Sequence, residues 1–529
     1  MSAVTRPVPL AVLLTTALCC ALLILPGVTV SSMYFNDLLI FLDGGYRVVH
    51  GQVPNIDFST ALGPLSFYIP GAGYWLSGSL GLAMPVGMSL LILVIAPIAI
   101  HVIGSRMRPL IGVPVAIFVM LLLATPMNTG EAFSRVSFAM YYNRIGWALL
   151  ALLLILFLRP ERPTRRQTAL DAAAATMLAL LAGYTKATYG VVAAGFLLML
   201  LLQPGGRRFA MLAILGGLVG VGLAELAWGG TRIHIGDLIV ATQTSGGRSA
   251  MSYVRSALET SGEYVLFLAF AAVALWIRPS VTDALFYGFC IAAGLMLLSQ
   301  NFQTEGIVSL LVGAAVAAET LARSARPRMG LFADAVTRGA PLAAILLLLP
   351  IGVSSAGALG LHAAAAATRS GIALETPNGQ GLRVMNTTNA GQFAFYARYV
   401  ESLDAGARLL RTLEVAPSRV LVFDFVSPFS SLLGIAPPDG GPAWMHNGRN
   451  FDAENHFPAE EVMGGVNVVM VPKRPVAGGT TKLMLEIYGA HLEENFRLET
   501  DTELWKVYLR RRALPREPKM SQTEIRPAQ

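Results

Sequence analysis

PLAVLLTTALCCALLILPGV, residues 9–28, is followed closely by YFNDLLIFLDGGYRVVHG, residues 34–51. The first stretch is uncharged and close to the 20 or so residues a helix needs to cross the hydrocarbon core of a bilayer. The second sets two carboxylates, Asp37 and Asp43, around an apolar LLIFL where the chain has just left that core. The whole chain of 529 residues is 54% hydrophobic and only 13% charged, which excludes an ordinary soluble protein. Residues 21–31 offer no convincing small-x-small cleavage site and further apolar runs follow, so 9–28 reads as a retained first helix rather than a secretory signal.

Runs of roughly 17 or more mostly apolar residues fall near 10–30, 83–104, 110–126, 144–158, 168–185, 188–203, 209–228, 263–277, 281–299, 306–322 and 340–361. This pattern predicts a polytopic α-helical membrane protein with about eleven transmembrane helices. Basic residues occupy every second connection: Arg6, then Arg106 and Arg108, RPERPTRR, PGGRR, Arg278, and RSARPRMG with Arg338. By the positive-inside rule that side is cytoplasmic, and an odd number of spans delivers the chain after residue 361 to the opposite, periplasmic side of a bacterial inner membrane. The net charge of +7 is thus a topology signal and not a nucleic-acid surface, because it is scattered between hydrophobic runs. Cys19, Cys20 and Cys290 all lie in apolar segments, so neither an exported disulfide nor a zinc site is expected, and the sequence indicates no metal or other cofactor.

After about residue 370 the composition turns water-soluble. RVLVFDFV and GGVNVVMVPKRP read as buried strands, ARYVESLDAGARLLRTLEV as an amphipathic helix and DTELWKVYLRRR as a closing strand. The domain plan is therefore a membrane domain over 1–361, an extracytoplasmic α/β domain over 362–515 and a disordered tail over 516–529. Between the first spans, GPLSFYIPGAGYWLSGSLG at 63–81 is apolar but broken by glycine and proline, as in a re-entrant or interfacial helix.

On the outer side, ionisable and amide residues gather in four short connections. The first holds Asp37, Asp43, Arg47 and Asp57, the second Glu131, Arg135 and Arg144, the third Lys186, and the fourth Gln300, Asn301, Gln303 and Glu305. Asp43 and Arg47 are four apart and pair on one helical face. Asp37 has no basic residue three or four positions away, which makes it either a helix cap, a solvated carboxylate or a general base. Lys186 sits in a very short turn and either snorkels to the headgroups or binds an anion. Arg135 and Arg144 fit an anion site too, or neutralise Glu131. A lone carboxylate and cations at membrane depth suit a reaction in which a hydroxyl loses a proton while a lipid phosphate departs.

The order of a first span, an outer-loop Asp, a G-x-x-P step and an aromatic helix opening with GPL, here ND…GGYRVVHGQVPNIDFSTALGPLSFYI, resembles the GT-C superfamily of membrane glycosyltransferases. It is most similar to the polyprenyl-phosphate-sugar-dependent bacterial branch that includes the aminoarabinose transferase of lipid A and rhizobial core-sugar transferases, with protein mannosyltransferases more distant. The resemblance implies Asp37 as catalytic base, Glu131 as the second-loop acid, and Lys186, with Arg135 and Arg144, at the donor phosphate. Asp57, Gln300, Asn301, Gln303 and Glu305 are then candidates for substrate contacts. One departure is that Asn36 precedes Asp37 where relatives often carry a second acid. WMHNGRNF at 444–451 matches no motif, and His446 and Arg449 read as a structural loop before an acceptor groove.

The expected activity is inverting transfer of a sugar from a polyprenyl-phosphate donor to a periplasmic glycan, lipid or protein of the cell envelope. Two other classes compete. An O-antigen-ligase or polymerase would use the loop at 229–262 with Arg232, His234, Arg248 and Arg255. A transporter or flippase calls for charges near the bilayer midplane.

Overall fold

The computed structural model describes residues 7–203, 205–245, 250–300, 303, 305–324, 331–387, 389–413 and 417–512. The tail expected to be disordered, 516–529, lies outside these residues. A helix occupies each of the eleven apolar runs. The first, Pro7–Ile24, starts on a proline that has no N–H to leave unpaired, and it stops just before Pro26 and Gly27, the latter at φ 77°. Six helices are long and apolar enough to cross a membrane: Pro7–Ile24, Leu80–Gly104, Arg165–Thr185, Arg207–Trp228, Val281–Leu298 and Arg338–Ala367. Counting the bent pair Tyr253–Glu259 and Ser261–Ile277 as one span makes seven. Pro109–Ala124, Tyr141–Ile155 and Ala187–Leu200 are apolar but shorter. The chain is a multi-pass membrane protein.

The two ends of this bundle differ in kind. At one end residues of the basic connections join ion pairs: Arg106 and His101 both reach Asp171, and Arg108 and Arg323 both reach Glu319. Arg106, Asp171 and Glu319 are almost wholly buried, so each charge depends on its partner. From Asp171 the same helix runs about 22 Å, at 1.5 Å per residue, to Lys186 at the other end.

That second end is covered by the C-terminal chain. Thr29–Ser31, immediately after the first helix, pairs in parallel with Leu382–Val384, which pairs antiparallel with Ile372–Ala373. A separate four-stranded sheet runs in the order Val420–Val422, Val468–Pro472, Trp505–Arg510, Phe496–Asp501, parallel only at its first pair. The helices Ala390–Arg411 and Gly478–Asn495 accompany it. Every element read from the sequence in this region is present. Phe496–Asp501 and Gly478–Asn495 are additions, the strand being half-exposed and so without a clear apolar signature.

The helix Phe35–Val49 lies between the bundle and this cover and is buried on nearly all sides. It carries Asp43 and Arg47, whose spacing predicts a pair on one helical face. They do pair, at 3.8 Å, but both are buried. Arg47 Nη2 also donates to the carbonyls of Pro438 and Gly440, each at 3.2 Å, so the pair fastens the C-terminal chain to the first outer helix. Gly63, in the GPL step, packs so closely on the Tyr184 carbonyl that any side chain would collide with it. The helix Leu65–Ser77 is thereby seated against the end of Arg165–Thr185, next to Lys186.

Candidate active site

Two helices begin at this covered end with residues that are sterically unusual. Tyr34 caps Phe35–Val49 at φ 52°, and Met140 caps Tyr141–Ile155 at φ 51°. Non-glycine residues enter the left-handed region at some cost, and such strain gathers at functional sites. Tyr34 is held there from two sides: its N–H donates to the Tyr396 hydroxyl at 3.0 Å, and its own hydroxyl donates to Glu131 Oε1 at 2.7 Å. Both residues line a cavity of about 520 Å³.

Asp37, three residues into the first of these helices, lines the same cavity. It takes hydrogen bonds from its own N–H and the Asn36 side chain, and among the described residues it forms no ion pair. Burial outweighs these bonds and pushes its carboxyl up to about 7. The cap reading is not what is found, because the N-cap is Tyr34.

Lys186 lines the cavity from another direction. It is the single extended residue, φ −155° and ψ 123°, between Arg165–Thr185 and Ala187–Leu200. Gly183 and Gly190 let the two helices close into a hairpin there, since a Cβ on Gly190 would stand 2.7 Å from the Gly183 Cα. Lys186 Nζ donates to Asn143 Oδ1 at 3.1 Å and lies 5.1 Å from the centre of the Tyr142 ring. Both partners come from the start of Tyr141–Ile155, so that helix holds the ammonium at the cavity.

The remaining wall comes from the C-terminal chain: Phe395, Tyr396, Phe425, Trp444, His446, Arg449, Val476 and Ala477. Burial and then the charge of Arg449 hold His446 below its ordinary value, so the ring is neutral at pH 7. Asp37, Lys186 and Arg449 are the charged residues of the lining, which makes it cationic whenever Asp37 is protonated.

The other sequence candidates among the described residues stand outside the lining. Glu131 is one side chain back, bonded to Tyr34 and 3.6 Å from Arg135, and burial raises its carboxyl. Arg144 is fully buried and donates to the Ala139 carbonyl. Asp57 accepts the Val53 N–H at 2.6 Å and braces its own turn. Gln303 accepts from Trp147 Nε1 at 2.7 Å and donates to the carbonyls of Glu305 and Gly306, while Glu305 itself is exposed. Asn301 and the side chain of Gln300 lie outside the described residues. Sequence reading passed over Tyr34, Asn143, Trp444 and Phe425, and ranked His446 and Arg449 as structural. Only the WMHNGRNF stretch, rich in aromatic and polar residues without a periodicity, carried a signal for the last wall. Among the described residues no three His, Cys, Asp or Glu side chains come together as a metal site would require.

The chain is similar along most of its length to three solved structures. ArnT from Cupriavidus metallidurans bound to undecaprenyl phosphate superposes with a TM-score of 0.49 at 13% identity, over 94% of this chain and 97% of that one. Its apo state gives 0.47 at 12% identity over the same shares. The mycobacterial arabinofuranosyltransferase AftD gives 0.44 at 13% identity, over 96% of this chain but 40% of AftD. No protein-family model and no curated protein matches the sequence. What the cavity can do chemically follows from its own residues.

Proposed function

We propose that this protein is an integral-membrane glycosyltransferase that moves a sugar from a polyprenyl-phosphate donor to an extracytoplasmic acceptor of the cell envelope, with inversion. The observation that carries this reading is that Asp37 and Lys186, distant in sequence, line one cavity at the covered end of the bundle. In the reaction an acceptor hydroxyl gives its proton to the Asp37 carboxylate, and its oxygen attacks the anomeric carbon. The bond from that carbon to the phosphate oxygen breaks, and the electron pair leaves with the polyprenyl phosphate. Lys186, steadied by Asn143, faces the negative charge that develops there. A carboxyl that titrates near 7 is matched to a base working at neutral pH. One base and one displacement invert the anomeric centre.

In this reading the eleven apolar helices all cross or enter the bilayer, the ion-paired end faces the cytoplasm, and residues after 361 lie outside. The parallel pairing of Thr29–Ser31 with Leu382–Val384 supports that placement without counting spans. The ligase-like alternative is less well served. His234 Nδ1 is 3.0 Å from Asn55 Nδ2, Arg255 pairs with Glu259, and neither lines the cavity. The test is lipid analysis of a deletion strain: a glycan short of one residue, together with accumulated polyprenyl-phosphate sugar, is expected. An unchanged envelope and lipid pool would refute the assignment.

A further inference from the structure

The C-terminal wall of the cavity is built from aromatic side chains in mutual contact. The ring centres of Phe425 and Trp444 are 5.6 Å apart, those of Phe425 and His446 5.3 Å, and those of Trp444 and His446 6.2 Å. Phe395 and Tyr396 add a further edge-to-face pair at 5.1 Å. Each part is fixed by buried polar groups rather than left as a loose loop. Asn450 accepts the His446 N–H at 2.8 Å and donates to the Trp444 carbonyl at 2.6 Å, closing the turn that presents both rings. Met445 N–H bonds the Phe425 carbonyl at 2.9 Å, and Asn447 N–H bonds Thr480 Oγ1 at 3.1 Å. The buried Asp424 carboxylate accepts the N–H groups of Phe425, Val476 and Ala477 at 2.7–2.9 Å, and so draws two more lining segments together.

Such an array favours one class of occupant. A pyranose ring has a face of C–H groups, which suits the electron-rich face of an aromatic ring, and a rim of hydroxyls, which needs donors and acceptors at its edge. The rim finds them here: Arg449 donates, the neutral His446 ring donates and accepts, and the buried Trp444 Nε1–H has no acceptor among the described residues. An acyl chain would want aliphatic walls, and only Met140, Val476 and Ala477 supply them in this lining. A phosphate would gain from Arg449 but nothing from the ring faces.

We infer that the Trp444 loop is a carbohydrate subsite, and that the acceptor of the reaction is itself a hexopyranose packed on the half-buried Trp444 ring, which the buried Phe425 backs from behind. This rests on the glycosyltransferase reading and adds to it the acceptor class. The donor phosphate is assigned to the Lys186 hairpin, an element of the membrane bundle, which leaves the C-terminal wall to the partner that arrives from water.

The experiment is saturation-transfer NMR on the full chain in lipid nanodiscs, with methyl α-D-mannopyranoside and methyl β-D-glucopyranoside as probes. At least one glycoside is expected to show enhancement strongest at its ring protons, persisting when decaprenyl-phosphate mannose saturates the donor site. Trp444→Ala is expected to weaken that binding about tenfold, as the loss of an aromatic contact and its buried area implies. Trp444→Phe keeps a ring face and is expected to stay within about threefold of wild type. No enhancement for either glycoside, an undiminished signal in Trp444→Ala, or equal losses in both variants with unchanged melting would overturn the proposal. Displacement of the glycoside by the donor lipid or by inorganic phosphate would do so as well, by giving the wall to the donor or to an anion. Glycoside binding needs no turnover, so a protein that transfers sugar but binds no glycoside at Trp444 refutes this inference alone. One that binds glycosides at Trp444 but never uses a lipid-linked donor refutes the function, and with it the acceptor role, while the carbohydrate subsite itself stands.

Discussion

Replacing Asp37 by asparagine is expected to produce a protein that is inactive yet more stable than the wild type at alkaline pH. Asparagine has the size and one oxygen of the carboxylate but accepts no proton from a hydroxyl. Loss of a general base lowers a rate by about 10² to 10⁴, or about 3 to 5 kcal/mol in the barrier. The stability effect has the opposite sign. Burial raises the Asp37 carboxyl from 3.8 to about 7, so the fold favours its protonated form. The stability this group contributes is fully present below pH 3.8 and is lost as the pH rises to about 7. Above that the ionised carboxylate costs on the order of 4 kcal/mol, and asparagine removes the cost. Two assays read the two effects: consumption of a polyprenyl-phosphate sugar by purified protein, and thermal melting at pH 5 and pH 8. The wild-type rate should climb about tenfold per pH unit below 7 and level off above it. Activity of Asp37→Asn within tenfold of wild type, or a melting temperature no higher than wild type at pH 8, would refute the role or the environment assigned to Asp37.

Lys186→Met keeps the apolar stem and deletes the charge, so the KM for a lipid-phosphate donor should rise about 10- to 100-fold, as expected when a charged hydrogen bond is lost; an unchanged donor KM would return Lys186 to a structural role at the helix hairpin. Asp43→Asn should leave Arg47 buried without its counter-charge and destabilise the fold by about 3–5 kcal/mol, seen as loss of folded protein in detergent; normal yield and melting would show that the carbonyls of Pro438 and Gly440 suffice for Arg47. A reporter enzyme that works only outside the cytoplasm, fused after residue 529, should be active, whereas a signal from a cytoplasm-only reporter would invert the topology and move the cavity to the wrong face.

What could be read from the sequence was what depends on local pattern. Apolar run length placed the eleven helices, and alternation of basic connections brought Asp37 and Lys186 to the same end. The spacing of Asp43 and Arg47 gave their pairing but not their burial, because the chain that covers them, at Pro438 and Gly440, is remote in sequence. The polar run SQNFQTEG looked like a substrate loop by composition. In the structure Gln303 is spent on Trp147 and on two backbone carbonyls, while Glu263 caps the N–H groups of Gly306 and Ile307. Short polar stretches between buried helices must satisfy their own backbone first, and composition does not show when that demand is already met. The aromatic wall was illegible for a further reason: Phe425, Trp444 and Ala477 come from separate turns joined through Asp424, Asn450 and Thr480, and no periodicity connects them.

The most direct test of the account is donor use by the purified full-length protein. Undecaprenyl-phosphate sugars and nucleotide sugars, radiolabelled in the sugar, would be offered in parallel with membrane-extracted envelope glycans. The account predicts release of undecaprenyl phosphate and movement of label into the glycan from a lipid-linked donor alone, with Asp37→Asn blank. Transfer from a nucleotide sugar, or transfer from the lipid donor that Asp37→Asn sustains at the wild-type rate, would contradict it.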